Sequence, residues 1–166
     1  MTRPKSAWTP SPNYTPKDPG RMVSCVIIHA TATSGKDSPL EWLCDPKSKV
    51  SAHYIIDTLG AIYHLVHEQN VAWHAGESSF NGTSGVNEFS VGIELVNAND
   101  GIMPYTDPQL ASCAELTADI CKDNHISFGA VVGHADIAPG RKTDPGPLFP
   151  WDHFRSLVGE KLTEGL

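Results

Sequence analysis

Apolar positions along the chain fall into short blocks divided by polar, glycine- and proline-rich stretches. Ser24-Cys25-Val26-Ile27-Ile28-His29 is a β-branched run without polar alternation, which predicts a strand buried on both faces. Ala52 to Asp57 and Ala61 to Val66 flank Thr58-Leu59-Gly60, a hairpin signal. Ser90 to Val96 predicts another strand and Ala130 to Gly133 a short one. Between these two, Asp107 to His125 carries Leu110, Cys113, Ala114, Thr117, Ile120 and Cys121 at helical spacing on one face, with Asp107 as the expected cap and Pro108 at the first position. A shorter helix is expected to start at Ser38, with Pro39 first and Glu41 completing a capping box. A last helix is expected from Trp151 to Val158, after the Pro/Gly-rich stretch 139–150. Hairpins beside longer crossovers predict a mixed α/β fold: one domain with a central mixed sheet flanked by helices. Its expected extent is 23–166, with 1–22 an irregular N-terminal arm rich in Pro, Ser and Lys.

Composition narrows this picture. With 166 residues, 40% hydrophobic and 19% charged, the chain can bury a core as a single globular unit. The formal net charge of -7 and the lack of a basic stripe argue against nucleic acid as a partner. No apolar run approaches the roughly 20 residues that span a bilayer, and the N-terminus lacks the apolar stretch of a signal peptide. A cytoplasmic site of synthesis and a monomeric state are the expectations. Cys25, Cys44, Cys113 and Cys121 are too few and too scattered for a disulfide scaffold. They read as small buried hydrophobes, and Cys113 and Cys121 stand about 12 Å apart along one helix, too far to bridge.

Eight histidines prompt a search for a metal site. A zinc hydrolase commonly supplies three His, Asp, Glu or Cys ligands and leaves a fourth position open. His29 closes the first predicted strand, His134 follows Val131-Val132-Gly133 in the same way, and Asp144 lies ten residues later in a Pro/Gly-stiffened loop. On spacing alone a strand-end histidine is more often a hydrogen-bonded structural residue. Glu94, inside Ile93-Glu94-Leu95-Val96, reads either as a strand-edge salt-bridge partner or as a working carboxylate, since an idle one is costly to bury. Lys142 precedes Asp144 by two residues, so in an extended loop both side chains project to one side, although a solvated lysine is the default.

The neighbourhood of these residues adds more. Gly133-His134-Ala135-Asp136-Ile137-Ala138-Pro139-Gly140-Arg141-Lys142-Thr143-Asp144-Pro145-Gly146 resembles the C-terminal signature of the type-2 N-acetylmuramoyl-L-alanine amidases, relatives of peptidoglycan recognition proteins. The likeness continues in Val26-Ile27-Ile28-His29, Ser51-Ala52-His53-Tyr54, Ala72-Trp73-His74-Ala75-Gly76 and Val91-Gly92-Ile93-Glu94-Leu95, in the family's order. The resemblance implies Zn2+ held by His29, His134 and Asp144, with Glu94 as proton carrier and Lys142 as oxyanion stabiliser. It also implies a substrate groove touched by His74, with Trp73 and Asn97 as further candidates. The implied reaction is hydrolysis of the amide between N-acetylmuramic acid and L-alanine. The implied partners are bacterial peptidoglycan or muropeptides. A wall-lytic enzyme of endolysin type, released by lysis, is the leading expectation. A cytoplasmic muropeptide-recycling amidase and a non-catalytic peptidoglycan-binding module are the alternatives. His53 is expected to be structural, and His64, His67, His125 and His153 to lie outside the site.

Overall fold

The structure, a computed structural model, describes residues 3–17 and 20–164. Along the chain, β1 (Ser6–Trp8) and β2 (Tyr14–Thr15) precede β3 (Cys25–Ala30), α1 (Asp37–Cys44), β4 (Tyr54–Ile56) and β5 (Ile62–His64). Short strands β6 (Val71–Ala72), β7 (Ser79–Phe80) and β8 (Thr83–Ser84) follow, then β9 (Ser90–Leu95) and α2 (Asp107–Asn124). The chain ends with β10 (Val131–Gly133), α3 (His134–Ile137) and α4 (Trp151–Thr163). Six strands form the main sheet in the order β1-β5-β4-β9-β3-β10. Pairing is parallel from β4 through β9 and β3 to β10, antiparallel between β4 and β5, and parallel again between β5 and β1. The expected mixed sheet with helices on its faces is therefore present.

The period of two along β3 and β9 sorts core from site. Val26 and Ile28 of β3, with Val91, Ile93 and Leu95 of β9, pack against Leu110, Cys113 and Ile120 of α2 and Phe154 and Val158 of α4. Cys25 and Ile27 point to the opposite face and meet Ala75, Val86 and Ile137. His29 continues that second set on β3, as Ser90, Gly92 and Glu94 do on β9. The site thus grows from the sheet face that α2 leaves open.

Several local expectations shift. The N-terminal arm contributes two short strands: β1 lies beside β5 at the edge of the main sheet, and β2 pairs with β6. Arg3 adds ion pairs to Glu68 and Asp123. Ser38 does not cap α1, because the helix starts at Asp37, whose carboxylate favours the positive helix end. Thr106, not Asp107, caps α2: its backbone is extended and its hydroxyl accepts from the Gln109 amide at 3.3 Å. His125 closes that helix in the left-handed conformation at φ 56°. Helix α4 runs past the expected end at Val158 to Thr163, with Phe154 and Val158 buried against α2. Cys25, Cys44, Cys113 and Cys121 are all free thiols. Burial pushes the Cys25 and Cys113 thiols up to about 12.

Candidate metal and catalytic site

Two strand ends and one loop bring the principal candidates together. His29 stands one residue before the end of β3, and His134 opens α3 where β10 stops. Asp144 is brought in by its own backbone, whose carbonyl accepts from the Ala135 amide at 2.9 Å. The Nδ1 atoms of His29 and His134 lie 2.9 Å apart, and Asp144 Oδ2 is 3.1 Å from His134 Nδ1 and 3.4 Å from His29 Nδ1. All three residues are buried.

These distances test whether a metal fits. Tetrahedral zinc with bonds of about 2.0–2.2 Å sets its ligand atoms roughly 3.3 Å apart, and the three observed edges bracket that spacing. His134 Nε2 lies 3.1 Å from the Ala75 carbonyl, which can only accept, so that nitrogen carries the proton and Nδ1 presents its lone pair. A carboxylate oxygen and imidazole nitrogens turned toward one point suit a divalent cation, and the residues fit zinc. Burial lowers the His29 pKa to about 4, against the pull of Asp144, so its ring is held neutral, as ligation requires.

The triad opens onto a cleft of about 480 Å³ whose lining includes His74, Glu94, His134, Lys142 and Asp144. Glu94 sits on β9 directly beside His29 on β3. Its Oε2 is enclosed and has no hydrogen-bond partner among the described residues. Burial first, then the Asp144 charge, push its pKa up to about 8, with Lys142 pulling the other way. A carboxyl poised near neutrality can both take and give a proton. Lys142 is exposed at the same rim, and among the described residues no hydrogen bond or ion pair engages its ammonium group.

Trp73 lines the cleft and donates its indole N–H to Thr15 Oγ1 at 3.0 Å. His74 contributes to the lining too, but its ring is buried against His29, with Nδ1 2.9 Å from His29 Nε2. Asn97 is not among the lining residues. It is buried, its amide donating to the Met103 carbonyl and accepting from the Asn99 amide, while Asn99 itself reaches the cleft. His53 is fully buried beneath the site, where Nδ1 accepts from the Gly92 amide and Nε2 faces the Asn70 carbonyl. His64, His67, His125 and His153 stand away from the lining. Sequence reasoning missed Trp42, a 57% exposed side chain on α1 at the cleft, and Arg141, which donates to the Ala75 and Glu77 carbonyls. An exposed tryptophan on a short helix is a readable signal; a guanidinium bonded to distant carbonyls is not.

Comparison with known proteins now decides the family. The model of the family described as N-acetylmuramoyl-L-alanine amidase matches residues 19–147. This chain belongs to that family. AmiD of Escherichia coli, an N-acetylmuramoyl-L-alanine amidase, is 41% identical to this chain over 146 residues, covering 80% of this chain but 52% of AmiD, so the chain spans about half that relative's length. AmpD of Haemophilus influenzae, a 1,6-anhydro-N-acetylmuramyl-L-alanine amidase, is 35% identical and covers 89% of each chain. A solved selenomethionine derivative of AmpD superposes with a TM-score of 0.83 at 33% identity, over 92% of this chain and 94% of that one. The chain therefore shares the fold expected from its motif order, and no helix among its described residues is long and apolar enough to cross a membrane.

Proposed function

We propose that the amidase hydrolyses the amide between the muramoyl lactyl group and L-alanine with one zinc held by His29, His134 and Asp144. The observation that carries this reading is the triad itself: three ligand atoms within 4.8 Å of one another, with His134 and Asp144 lining an open cleft. Zinc bound there supplies Lewis acidity to the scissile carbonyl and acidifies water. Three protein ligands at the base of a cleft leave a coordination position open, which distinguishes this arrangement from a closed structural site.

The chain's own residues divide the remaining work. Glu94 takes the proton of the attacking water and delivers it to the leaving nitrogen of L-alanine, a task that suits a carboxyl beside His29 whose Oε2 has no hydrogen-bond partner among the described residues. Lys142 presents its ammonium to the carbonyl oxygen as that oxygen becomes negative. Trp73, half-buried at the rim, offers an aromatic face to the glycan or stem peptide. Likeness to AmpD, named a 1,6-anhydro-N-acetylmuramyl-L-alanine amidase, and to AmiD, solved with an anhydro-N-acetylmuramic acid peptide as substrate, supports a 1,6-anhydro-muropeptide as the substrate.

The test pairs metal analysis with release of new L-alanine amino termini. The protein is expected to carry about one zinc per chain, to cleave a soluble anhydro-muropeptide faster than purified sacculi, and to lose both metal and activity in His134→Ala. Full turnover by stably metal-free His134→Ala sinks the metal reading. Faster cleavage of sacculi replaces the muropeptide assignment with a wall-lytic one.

A further inference from the structure

We infer that His74 is a positioning residue that locks the ring of His29, and that the 73–76 segment aims both metal-facing imidazoles at once. The inference rests on the zinc reading of the triad. It reassigns His74 from the substrate groove to the support of a ligand.

A relay of hydrogen bonds starts three groups away from the metal position. The Val86 carbonyl can only accept, and Ser90 Oγ stands 2.6 Å from it, so the Ser90 hydroxyl gives its hydrogen there. Toward His74 Nε2, at 3.1 Å, Ser90 Oγ is then the acceptor, and that nitrogen bears the proton. A neutral His74 ring therefore has a bare Nδ1, which accepts from His29 Nε2 at 2.9 Å. His29 is left with its lone pair on Nδ1, the atom that faces Asp144 and His134. One carbonyl thus fixes the tautomer of a metal-facing histidine through a serine and a second histidine.

The other imidazole is set from the adjacent residue. His134 Nε2 donates to the carbonyl of Ala75, which also accepts from Arg141 Nη2 at 2.5 Å. Asn87 ties the two supports together, its Oδ1 accepting from the backbone amides of His74 at 3.1 Å and Ala75 at 2.7 Å. Space for the His74 ring exists only because β9 has glycine at 92: a Cβ there would lie 2.5 Å from His74 Cγ and 2.6 Å from Nδ1. Partners of this kind hold ligand rings in the tautomer and orientation that bind metal, and losing one typically costs 10–100-fold in metal affinity.

Two substitutions separate positioning from packing. His74→Phe keeps the ring volume but offers His29 no acceptor, whereas His74→Asn can place an amide oxygen where Nδ1 now lies. Zinc affinity, measured by competition with a chromogenic chelator, should fall about 10–100-fold in His74→Phe and recover most of that loss in His74→Asn. Absorption bands of the cobalt-loaded protein should move in the Phe variant and return toward native positions in the Asn variant. Native zinc affinity in His74→Phe, or equal losses in both variants, overturns the inference. If His74→Phe does not fold, Ser90→Ala carries the test: it frees His74 to take the other tautomer, zinc affinity must fall, and unchanged affinity overturns the inference. Zinc binding by the native protein that these variants leave intact defeats this inference alone; no zinc binding by the native protein defeats the metal reading and this inference together.

Discussion

His29 and Glu94 are direct neighbours in parallel register on β3 and β9, so the backbone ladder that aims the His29 imidazole also fixes the carboxyl beside it. Neither depends on a loop for its placement, and Glu94 Oε2 is left with no hydrogen-bond partner among the described residues. Glu94→Gln is therefore expected to keep its zinc while kcat drops by about 10²–10⁴, the usual worth of a positioned proton carrier. Metal analysis beside steady-state kinetics checks this. Parallel loss of zinc would instead make Glu94 a ligand.

Glu94 also predicts how stability depends on pH in protein stripped of metal. Its folded pKa of about 8 lies above its ordinary carboxyl value, so between the two the folded chain holds a proton that the unfolded chain has released. That contribution is complete at low pH and is lost as pH rises toward 8. Buried His29 and His53, with pKa values of about 4 and 3, act in the opposite sense: their stability is lost as pH falls below the ordinary imidazole value near 6.5. Urea midpoints should accordingly peak near neutrality and decline on both sides. Glu94→Gln should flatten the decline between about 6.5 and 8 and steepen the acid limb between 4.5 and about 6.5, where the Glu94 contribution opposes that of the histidines; an unchanged alkaline limb would refute the assignment.

Lys142 separates catalysis from grip. If its charge meets the oxyanion, Lys142→Met should bind zinc and substrate almost normally yet lose ~10²–10³ in kcat and in kcat/KM alike. Lys142→Arg should restore little, because the planar guanidinium presents its donors in another geometry. A surface lysine with no role predicts a change within a factor of about two. A raised KM at constant kcat would mean that Lys142 only holds the substrate.

How much of this was legible in the sequence follows from which forces act locally. His29 and His134 stand out because apolar runs end at them, and strand ends are set by short-range pattern. Asp144 depended on the family motif, since a loop position reveals nothing about where its backbone is anchored, here on Ala135. Cap assignments slipped by one residue because Thr106 and Asp107 are both acceptable caps and only the extended backbone at Thr106 decides between them. The supporting roles of His74, Asn87 and Ser90 had no sequence signal: each is a contact between segments whose approach the sheet creates. Strands β1 and β2 were missed for a related reason, having two or three residues each and no period of their own, so that pairing with β5 and β6 alone makes them strands.

That last pairing bears on where the chain can be trimmed. β1 covers the hydrogen-bonding side of β5, and Arg3 fastens it through Glu68 and Asp123. A fragment starting near residue 23 would retain every residue of the candidate metal triad and both catalytic candidates, yet leave β5 with bare amides and carbonyls facing solvent. Such an edge recruits strands from other molecules. The stretch that looks most dispensable in the sequence is thus the one that shields the sheet from self-association.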